Sequence, residues 1–352
     1  MNRLASQILP LLVLLLPLQL LAGLPAHRNY TEADGLASAH IYCVLQDREG
    51  FIWVSTEAGV SRFDGYEFTN FSLADGIADT EVFSIHEDSQ GRIWQLGANG
   101  RVSYYLNGQF FNTSNDSTLR GLDWDSFHLS FLEDSNGNIW FGNQAYGTAC
   151  YTANNTVRSF KREADWTWRS SHGIFEDEEG KVWVHVPAGR LLLTADGPKL
   201  MSESDLLPEL TLRSALRSDG ALYGLSRQKV WMQETAAGKW EEQTFLLREN
   251  EYPIHMTIDE DDQLWMCTSK GLKLYTSEEV MQQRGGKALI ENASVSWTIR
   301  DREGNVWAST LDKGLFVFPA LNMESYGMVD GLRWLSPSEP VPKACRAPFF
   351  KW

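Results

Sequence analysis

Asp47-Arg48-Glu49-Gly50-Phe51-Ile52-Trp53 is the stretch that decides the fold of this chain, because it returns six more times. The copies share the form Asp-x-x-Gly-x-(Ile/Val/Leu)-Trp. In the fifth copy Arg217 and Tyr223 replace Asp and Trp, and in the sixth Asp262 replaces Gly. The copies follow one another every 40 to 46 residues and end at Trp53, Trp94, Trp140, Trp183, Tyr223, Trp265 and Trp307. A fixed period of this length predicts a repeat architecture.

Each repeat has the pattern of four short strands joined by tight turns. Asp at the first position and Gly at the fourth favour a turn in which the carboxylate accepts backbone N–H groups and the Gly closes the hairpin. In the first repeat, strands are predicted over residues 40–45, 51–55, 60–63 and 66–71. Four strands in about 42 residues match one blade of a propeller. The sequence therefore predicts an all-β, seven-bladed β-propeller with four-stranded antiparallel blades, spanning residues 27–322.

The recurring residues are predicted to be structural. Neighbouring blades diverge with distance from the axis, so a Trp on the second strand can fill the gap while its indole N–H donates to a carbonyl. The structural set comprises Asp47, Gly50, Trp53, Asp88, Gly91, Trp94, Asp134, Gly137, Trp140, Asp177, Gly180, Trp183, Asp301, Gly304 and Trp307.

The two ends of the ring must pair, because a propeller leaves no open edge between its first and last blades. The segment His27–Thr31 is predicted to supply the outer strand of blade seven, and Asn322–Tyr326 competes for the same place. Blade five, residues 206–245, is predicted to be the weakest, because it lacks both Asp and Trp.

The N-terminus predicts export. Arg3 precedes an apolar run over residues 8–21 and the small residues Ala22, Gly23 and Ala26, which is the pattern of a signal peptide over residues 1–26. No second apolar stretch is long enough to span a membrane, so a periplasmic or secreted location is expected. The net charge of −15 argues against a nucleic-acid partner.

Cysteine and histidine patterns predict no metal site and no cofactor. Cys43, Cys150 and Cys267 fall in predicted strands of different blades and are expected to be small buried residues. The histidines His40, His128, His172 and His255 lie near the starts of inner strands, but their distances from the repeat Asp differ. The stretch 134–138 has a remote likeness to a calcium loop; its Gly and the missing Glu favour a turn.

The full pattern, Tyr-x-x-x-Asp-Gly-Leu followed by Asp-x-x-Gly-x-(Ile/Val)-Trp-(Val/Ala)-Ser-Thr, resembles the two-component regulator propeller repeat. The best copies are residues 47–63 and 301–318, and the resemblance extends over residues 27–332. In that family, the repeats form the periplasmic sensor of hybrid histidine kinases or diguanylate cyclases, often as two propellers, and some members sense oligosaccharides. No kinase, cyclase or helix-turn-helix motif follows in this chain.

Two functional classes remain open. The first is a ligand-sensing or protein-interaction module, whose partner could be an oligosaccharide or another periplasmic ligand, the rest of a receptor, or a second propeller. The second is a stand-alone propeller enzyme such as a polysaccharide lyase or a glycosidase. No catalytic motif is present, which favours the first class. Ligand contacts are predicted on the loops that lead into blades three and four, at Trp124, Tyr146, Trp166, Trp168, Arg169 and His172.

The last 30 residues depart from the repeat. Ser325–Leu332 resembles the lead-in to a further blade, but residues 333–352 hold four of the twelve prolines and mostly basic charge. Residues 323–352 are therefore expected to be the start of a further repeat followed by a disordered tail. Such a change of composition is what a frameshift in a longer receptor gene would leave, and the alternative is a stand-alone secreted propeller.

Overall fold

Each copy of the repeat folds into one four-stranded antiparallel sheet, and seven such sheets arranged in a ring make a seven-bladed β-propeller. The fold class predicted from the sequence is confirmed. The computed structural model describes residues 26–126, 128–143, 145, 147–161, 173–177, 179–186, 189–194, 197–202, 213–216, 221–226, 229–234, 240–276 and 285–319. The predicted signal peptide and C-terminal tail lie outside these residues, apart from Ala26 at the predicted cleavage zone.

The strands run from the channel outward in chain order within each blade. Blade one contains β2 (Ile41–Gln46), β3 (Ile52–Thr56), β4 (Gly59–Phe63) and β5 (Phe68–Phe71), and blade two contains β6 (Val82–Glu87), β7 (Ile93–Gly97), β8 (Val102–Leu106) and β9 (Gln109–Phe111). Blade three contains β10 (His128–Glu133), β11 (Ile139–Asn143), β12 (Gly147–Tyr151) and β13 (Val157–Lys161), and blade four contains β14 (Gly173–Glu176), β15 (Val182–Val186), β16 (Gly189–Thr194) and β17 (Gly197–Ser202).

The remaining three blades follow the same order until the last one. Blade five contains β18 (Arg213–Leu216), β19 (Leu222–Ser226), β20 (Lys229–Gln233) and β21 (Glu241–Gln243), and blade six contains β22 (Pro253–Ile258), β23 (Leu264–Thr268), β24 (Gly271–Tyr275) and β25 (Lys287–Glu291). Blade seven contains β26 (Val295–Arg300), β27 (Val306–Thr310), β28 (Leu315–Phe318) and, as its outer strand, β1 (Arg28–Tyr30). The 3₁₀ helices of the described residues are Glu32–Asp34, Leu73–Asp75 and Ser117–Leu122.

The ring is closed by the N-terminal strand. β1 pairs antiparallel with β28, and Arg28 lies opposite Val317 while Tyr30 lies opposite Leu315. The Tyr30 ring is buried and lies parallel to that of Trp307, with 6.2 Å between centroids. Blade seven is therefore built from both ends of the described chain, as the sequence predicts. The competing segment, Asn322–Tyr326, lies outside the described residues.

The repeat Asp and the repeat Trp bond to each other, which explains why they recur together. In the first repeat the indole Nε1 of Trp53 donates to Asp47 Oδ2 at 2.6 Å, while Asp47 Oδ1 accepts the backbone N–H groups of Glu49 and Phe51. The same indole–carboxylate bond measures 2.7 or 2.8 Å for Trp94, Trp140, Trp183, Trp265 and Trp307. The expectation that the indole donates to a carbonyl is therefore wrong, because the carboxylate that orders the turn is also its partner.

The repeat Gly adopts the left-handed conformation that the turn requires. Gly50 has φ of 101°, and Gly91, Gly137, Gly180 and Gly304 have φ between 74° and 85°. Asp262 stands in this place in the sixth repeat and also has positive φ, at 58°. Asp is among the few side chains that tolerate this region, so the degenerate copy keeps the turn.

The repeat Trp lies between blades. Trp53 packs in one cluster with Val82, Ile85 and Ile93 of the next blade. In blade five, Tyr223 takes the place of the Trp, is fully buried, and packs with Met256 and Leu264 of blade six. Large apolar rings thus fill the space between neighbouring sheets, where truncation would leave a cavity.

Polar contacts connect neighbouring blades around one rim of the channel. The residue after the repeat Asp of one blade bonds to the residue before the repeat Asp of the next blade. Examples are Arg48 Nε to Glu87 Oε1 at 2.6 Å, the Ser89 backbone N–H to Glu133 Oε2 at 2.7 Å, the Ser135 backbone N–H to Glu176 Oε2 at 2.8 Å, and the Arg302 backbone N–H to Gln46 Oε1 at 2.9 Å. We call these bonds the rim contacts. In blades five and six the residue before the repeat position is Leu216 or Ile258, which has no side-chain acceptor.

The cysteines of the described residues are buried in separate blades. Cys43, Cys150 and Cys267 form no disulfide with one another, and burial raises the pKa of the Cys150 thiol to about 12. Among the helices of the described residues, none is long and apolar enough to cross a membrane.

Candidate ligand-binding site in the channel

The inner strands surround a central channel whose two ends differ. One end, the Asp-turn face, carries the turns between the first and second strands of each blade. The other end, the connecting-loop face, carries the loops that lead from one blade to the next. A cavity of about 690 Å³ lies at the Asp-turn face, between the inner strands β2, β6, β22 and β26 of blades one, two, six and seven. Its volume is typical of sites that bind small molecules.

The inner wall of the cavity is largely apolar and contains an aromatic platform. Leu45, Ile85, Ile258 and Ile299 come from four different strands. The Trp297 indole also lines the cavity and stacks on the His255 imidazole, with 3.9 Å between centroids and 16° between planes. The stacking holds the Trp297 ring in place, so the ligand would meet a preformed aromatic surface.

The charged groups of the cavity differ in how fully they are bonded. The Asp301 carboxylate accepts the Asn305 backbone N–H at 2.7 Å and the Trp307 indole N–H at 2.7 Å. The Arg302 guanidinium donates to Gln46 Oε1 and to the carbonyls of Asp47 and Arg48. The Asp301 contacts order the turn within blade seven, and the Arg302 contacts connect blade seven to blade one. Arg300 differs, because among the described residues its guanidinium makes one bond to a protein acceptor, from Nη1 to Asp261 Oδ2 at 3.1 Å.

Two side chains of the cavity region differ in type from their counterparts in the other repeats. This difference is the sequence signal by which the cavity could have been found. Four residues before the repeat Asp, blades one to four carry small residues, namely Cys43, Ser84, Ser130 and Gly173. Blades six and seven carry His255 and Trp297 at the same place. From the sequence, His255 is predicted only as a histidine near the start of an inner strand, and Trp297 and Arg300 are not predicted as site residues.

The ligand contacts predicted on the connecting-loop face are only partly described. Trp124 has 5% of its surface exposed and packs in a cluster with Leu119, Leu122 and Phe141. In this position its ring is part of the core and offers little surface to a ligand. The other predicted contacts, Tyr146, Trp166, Trp168, Arg169 and His172, lie outside the described residues, and their role stays a prediction.

Aromatic side chains of blades one and two meet at the connecting-loop end of the inner strands. A register shift between Ile41 and Cys43 leaves Tyr42 as a bulged residue, and Phe83 occupies the matching place in blade two. Their rings meet edge to face at 4.9 Å, and the Tyr42 hydroxyl donates to Glu81 Oε1 at 2.5 Å. Burial, reinforced by the bond to Glu81, raises the pKa of Tyr42 well above its ordinary value.

The channel histidines of the described residues have structural contacts. His128 is buried, bonds through Nε2 to the Leu122 carbonyl at 3.1 Å, and has its pKa lowered to about 4 by burial. His40 lies 4.0 Å from the Glu57 carboxylate. No group of three or more metal-binding side chains occurs in the described part of the chain.

Comparisons with known proteins agree with the repeat and with the fold. The family model "Two component regulator propeller" matches residues 35–58 and 121–145. No curated protein matches the chain. The extracellular domains of two putative hybrid two-component systems from B. thetaiotaomicron are similar in structure, with TM-scores of 0.66 and 0.62 and identities of 16% and 17%. Virginiamycin B lyase from Staphylococcus aureus is similar with a TM-score of 0.60 and 15% identity.

The two kinds of neighbour differ in how their lengths compare with this chain. The aligned region covers 84% of this chain but 42% and 40% of the two extracellular domains. It covers 83% of this chain and 97% of the lyase. At these identities the similarities establish the fold alone.

Proposed function

We propose that this chain, which carries two component regulator propeller repeats, is an extracytoplasmic ligand-sensing module of a signal-transduction receptor. The observation that carries the proposal is the cavity at the Asp-turn face. It is of ligand size, has a fixed aromatic platform, and lies where four blades meet. A bound molecule there would contact blades one, two, six and seven together. Its binding would therefore favour the arrangement of those four blades that gives it the best contacts.

Two further observations support the sensor over an enzyme. The repeat carboxylates Asp259 and Asp301 line the cavity and accept N–H groups from their own blade, so they are poorly suited to general acid–base chemistry. Two structural neighbours of the chain are extracellular domains of putative hybrid two-component systems, and the chain itself matches the two component regulator propeller model over residues 35–58 and 121–145. The residues before position 27 have the pattern of an export signal, which agrees with a sensor outside the cytoplasm.

The proposal is tested by screening the purified full chain for thermal stabilisation against plant and microbial oligosaccharides, followed by titration calorimetry. Hits are repeated with Trp297→Ser, which restores the residue type found at this position in blades two and three, and with Tyr252→Ser as a matched control at an exposed ring outside the cavity. Binding that is lost only in Trp297→Ser supports the proposal. Chemical conversion of the oligosaccharide would contradict the sensor proposal and favour an enzyme. Binding that neither substitution changes would contradict the cavity as the binding site.

A further inference from the structure

The structure assigns a ligand chemistry to the cavity: we propose that it binds a carboxylate group carried on an apolar or flat body, and that Arg300 exchanges from Asp261 to the ligand. This inference rests on the proposed function, because it concerns the same cavity. It adds the residue that recognises the ligand and the protein contact that the ligand replaces.

Arg300 has the donors for such a ligand. Its guanidinium carries five N–H groups, and in the described residues one bond joins it to a protein acceptor, Asp261 Oδ2 at 3.1 Å. One third of the Arg300 side chain is exposed, and the residue lines the cavity. Guanidinium groups favour carboxylates because two parallel N–H groups match the two oxygens.

The bond between Arg300 and Asp261 is easily replaced. The Asp261 side chain is 61% exposed, and the pair has a single contact. Exposed ion pairs of this kind contribute little, because water and salt screen both partners. A carboxylate held in the cavity would approach from a side with less water, where the same charges attract more strongly.

The other charged groups of the cavity cannot take this role. Arg302 is bonded to Gln46 and to two backbone carbonyls. The Asp259 carboxylate accepts two backbone N–H groups and the Trp265 indole N–H, so it adds no open acceptor. Glu260 also lines the cavity and is exposed, and its negative charge disfavours ligands that carry several negative charges.

The apolar wall defines the rest of the ligand. Ile258 and Ile299 flank the turn that holds Asp259 and the strand end that holds Arg300, and Trp297 supplies the aromatic surface. A carboxylate at Arg300 would therefore place the body of its carrier against apolar side chains, and burial of that body would supply non-directional binding energy.

The exchange would act on a blade contact. Arg300 belongs to β26 of blade seven, and Asp261 belongs to the turn after β22 of blade six. Occupation of the cavity would thus replace a link between blades six and seven by a link through the ligand. The neighbouring contact between blades seven and one uses Arg302 and several acceptors, and it would remain in place.

The test uses benzoate as the probe and benzamide, which has the same shape without the charge, as its control. Binding to the full chain is measured by ligand-observed nuclear magnetic resonance and by calorimetry. We expect benzoate to bind and benzamide to bind at least about tenfold more weakly, as the loss of a charge-assisted hydrogen bond requires. Arg300→Gln is expected to weaken benzoate binding by a similar factor.

A variant of opposite sign protects the test from a simple folding defect. Asp261→Asn removes the competing anion and is expected to strengthen benzoate binding about two- to fivefold, in line with the small contribution of an exposed pair. Arg248→Gln, which removes an exposed ion pair to Glu291 outside the cavity, is the matched control and should change nothing.

Equal binding of benzoate and benzamide would overturn the carboxylate inference, as would unchanged affinity in Arg300→Gln or no benzoate binding at all. The proposed function can hold even if the carboxylate inference fails. If a neutral oligosaccharide binds and Trp297→Ser abolishes its binding, the cavity is a ligand site and only its chemistry has been assigned wrongly.

Discussion

Substitutions at Trp140 and Asp134 separate the two contributions that the repeat Trp makes to stability. The Trp140 ring packs with Cys150 of its own blade and with Val184 and Leu191 of the next, and its Nε1 donates to Asp134 Oδ2 at 2.8 Å. Trp140→Ala removes both the packing and the hydrogen bond. We expect it to lower the free energy of unfolding by about 3–5 kcal/mol, the range found for large core truncations.

Trp140→Phe keeps an aromatic ring but removes the N–H donor. A hydrogen bond to a charged group contributes about 1.5–3 kcal/mol, so Trp140→Phe should cost at least that much. Asp134→Ala removes the acceptor of the indole and of the Asn136 and Asn138 backbone N–H groups. Once Asp134 is gone, the further change Trp140→Phe should cost about 1.5–3 kcal/mol less than it does in the wild type.

The wild type, Trp140→Ala, Trp140→Phe, Asp134→Ala and the double variant are compared by urea unfolding at pH 7, monitored by tryptophan fluorescence and circular dichroism. The double-mutant cycle isolates the coupling between the two side chains. Additive effects, within about 0.5 kcal/mol, would refute the Asp–Trp pair as a stabilising unit. A midpoint unchanged in Trp140→Ala would also refute the packing role.

Acid titration and substitution test the roles of single side chains at four other sites. Burial lowers the pKa of His128 to about 4. As the pH falls from about 6.5 to about 4, the protein should therefore lose on the order of 3 kcal/mol of its free energy of unfolding, because the unfolded state binds a proton that the folded state does not. In His128→Phe the melting temperature should depend less on pH over that range, and the same pH dependence as in the wild type would contradict this. The Trp183 indole N–H lowers the pKa of Asp177, so stability should be lost below about pH 4 and less steeply in Asp177→Asn, as acid titration of circular dichroism will show. Glu251→Ala leaves the buried Lys273 ammonium without its carboxylate and should cost about 3–5 kcal/mol in urea unfolding, whereas a surface-like effect below about 1 kcal/mol would contradict a buried pair. Trp166→Ala and Trp168→Ala should weaken any ligand bound at the connecting-loop face, and lower stability with unchanged affinity in calorimetry would contradict that role.

The fold could be predicted because one short motif carries most of its rules. Gly50 provides the left-handed turn residue, Asp47 orders the turn, and Trp53 fills the space between blades. The sequence also contained a signal for the bond between Asp47 and Trp53. The fifth copy loses Asp and Trp together, as Arg217 and Tyr223 show. Loss of both at once is what two residues that bond to each other would show.

The candidate site was harder to predict because it depends on departures from the repeat. Trp297 and Arg300 stand on an inner strand whose counterparts in blades one to four carry small or acceptor side chains at those positions. Their importance emerges only when β22, β26, β2 and β6 are brought around one cavity. Trp124 shows the opposite case. It follows a 3₁₀ helix whose length no repeat rule fixes, and the helix carries the Trp124 ring into the core rather than to the surface.

Hydrogen–deuterium exchange with and without a bound ligand tests the central claim most directly. The cavity lies between blades one, two, six and seven, whereas the alternative contacts are predicted in the segments that lead into blades three and four. With a ligand found in the oligosaccharide screen, or with benzoate, the account predicts slower exchange in residues 257–262 and 297–304, which form the Asp-turn face of blades six and seven. Slower exchange confined to residues 122–128 and 162–172, where the alternative ligand contacts are predicted from the sequence, would contradict it.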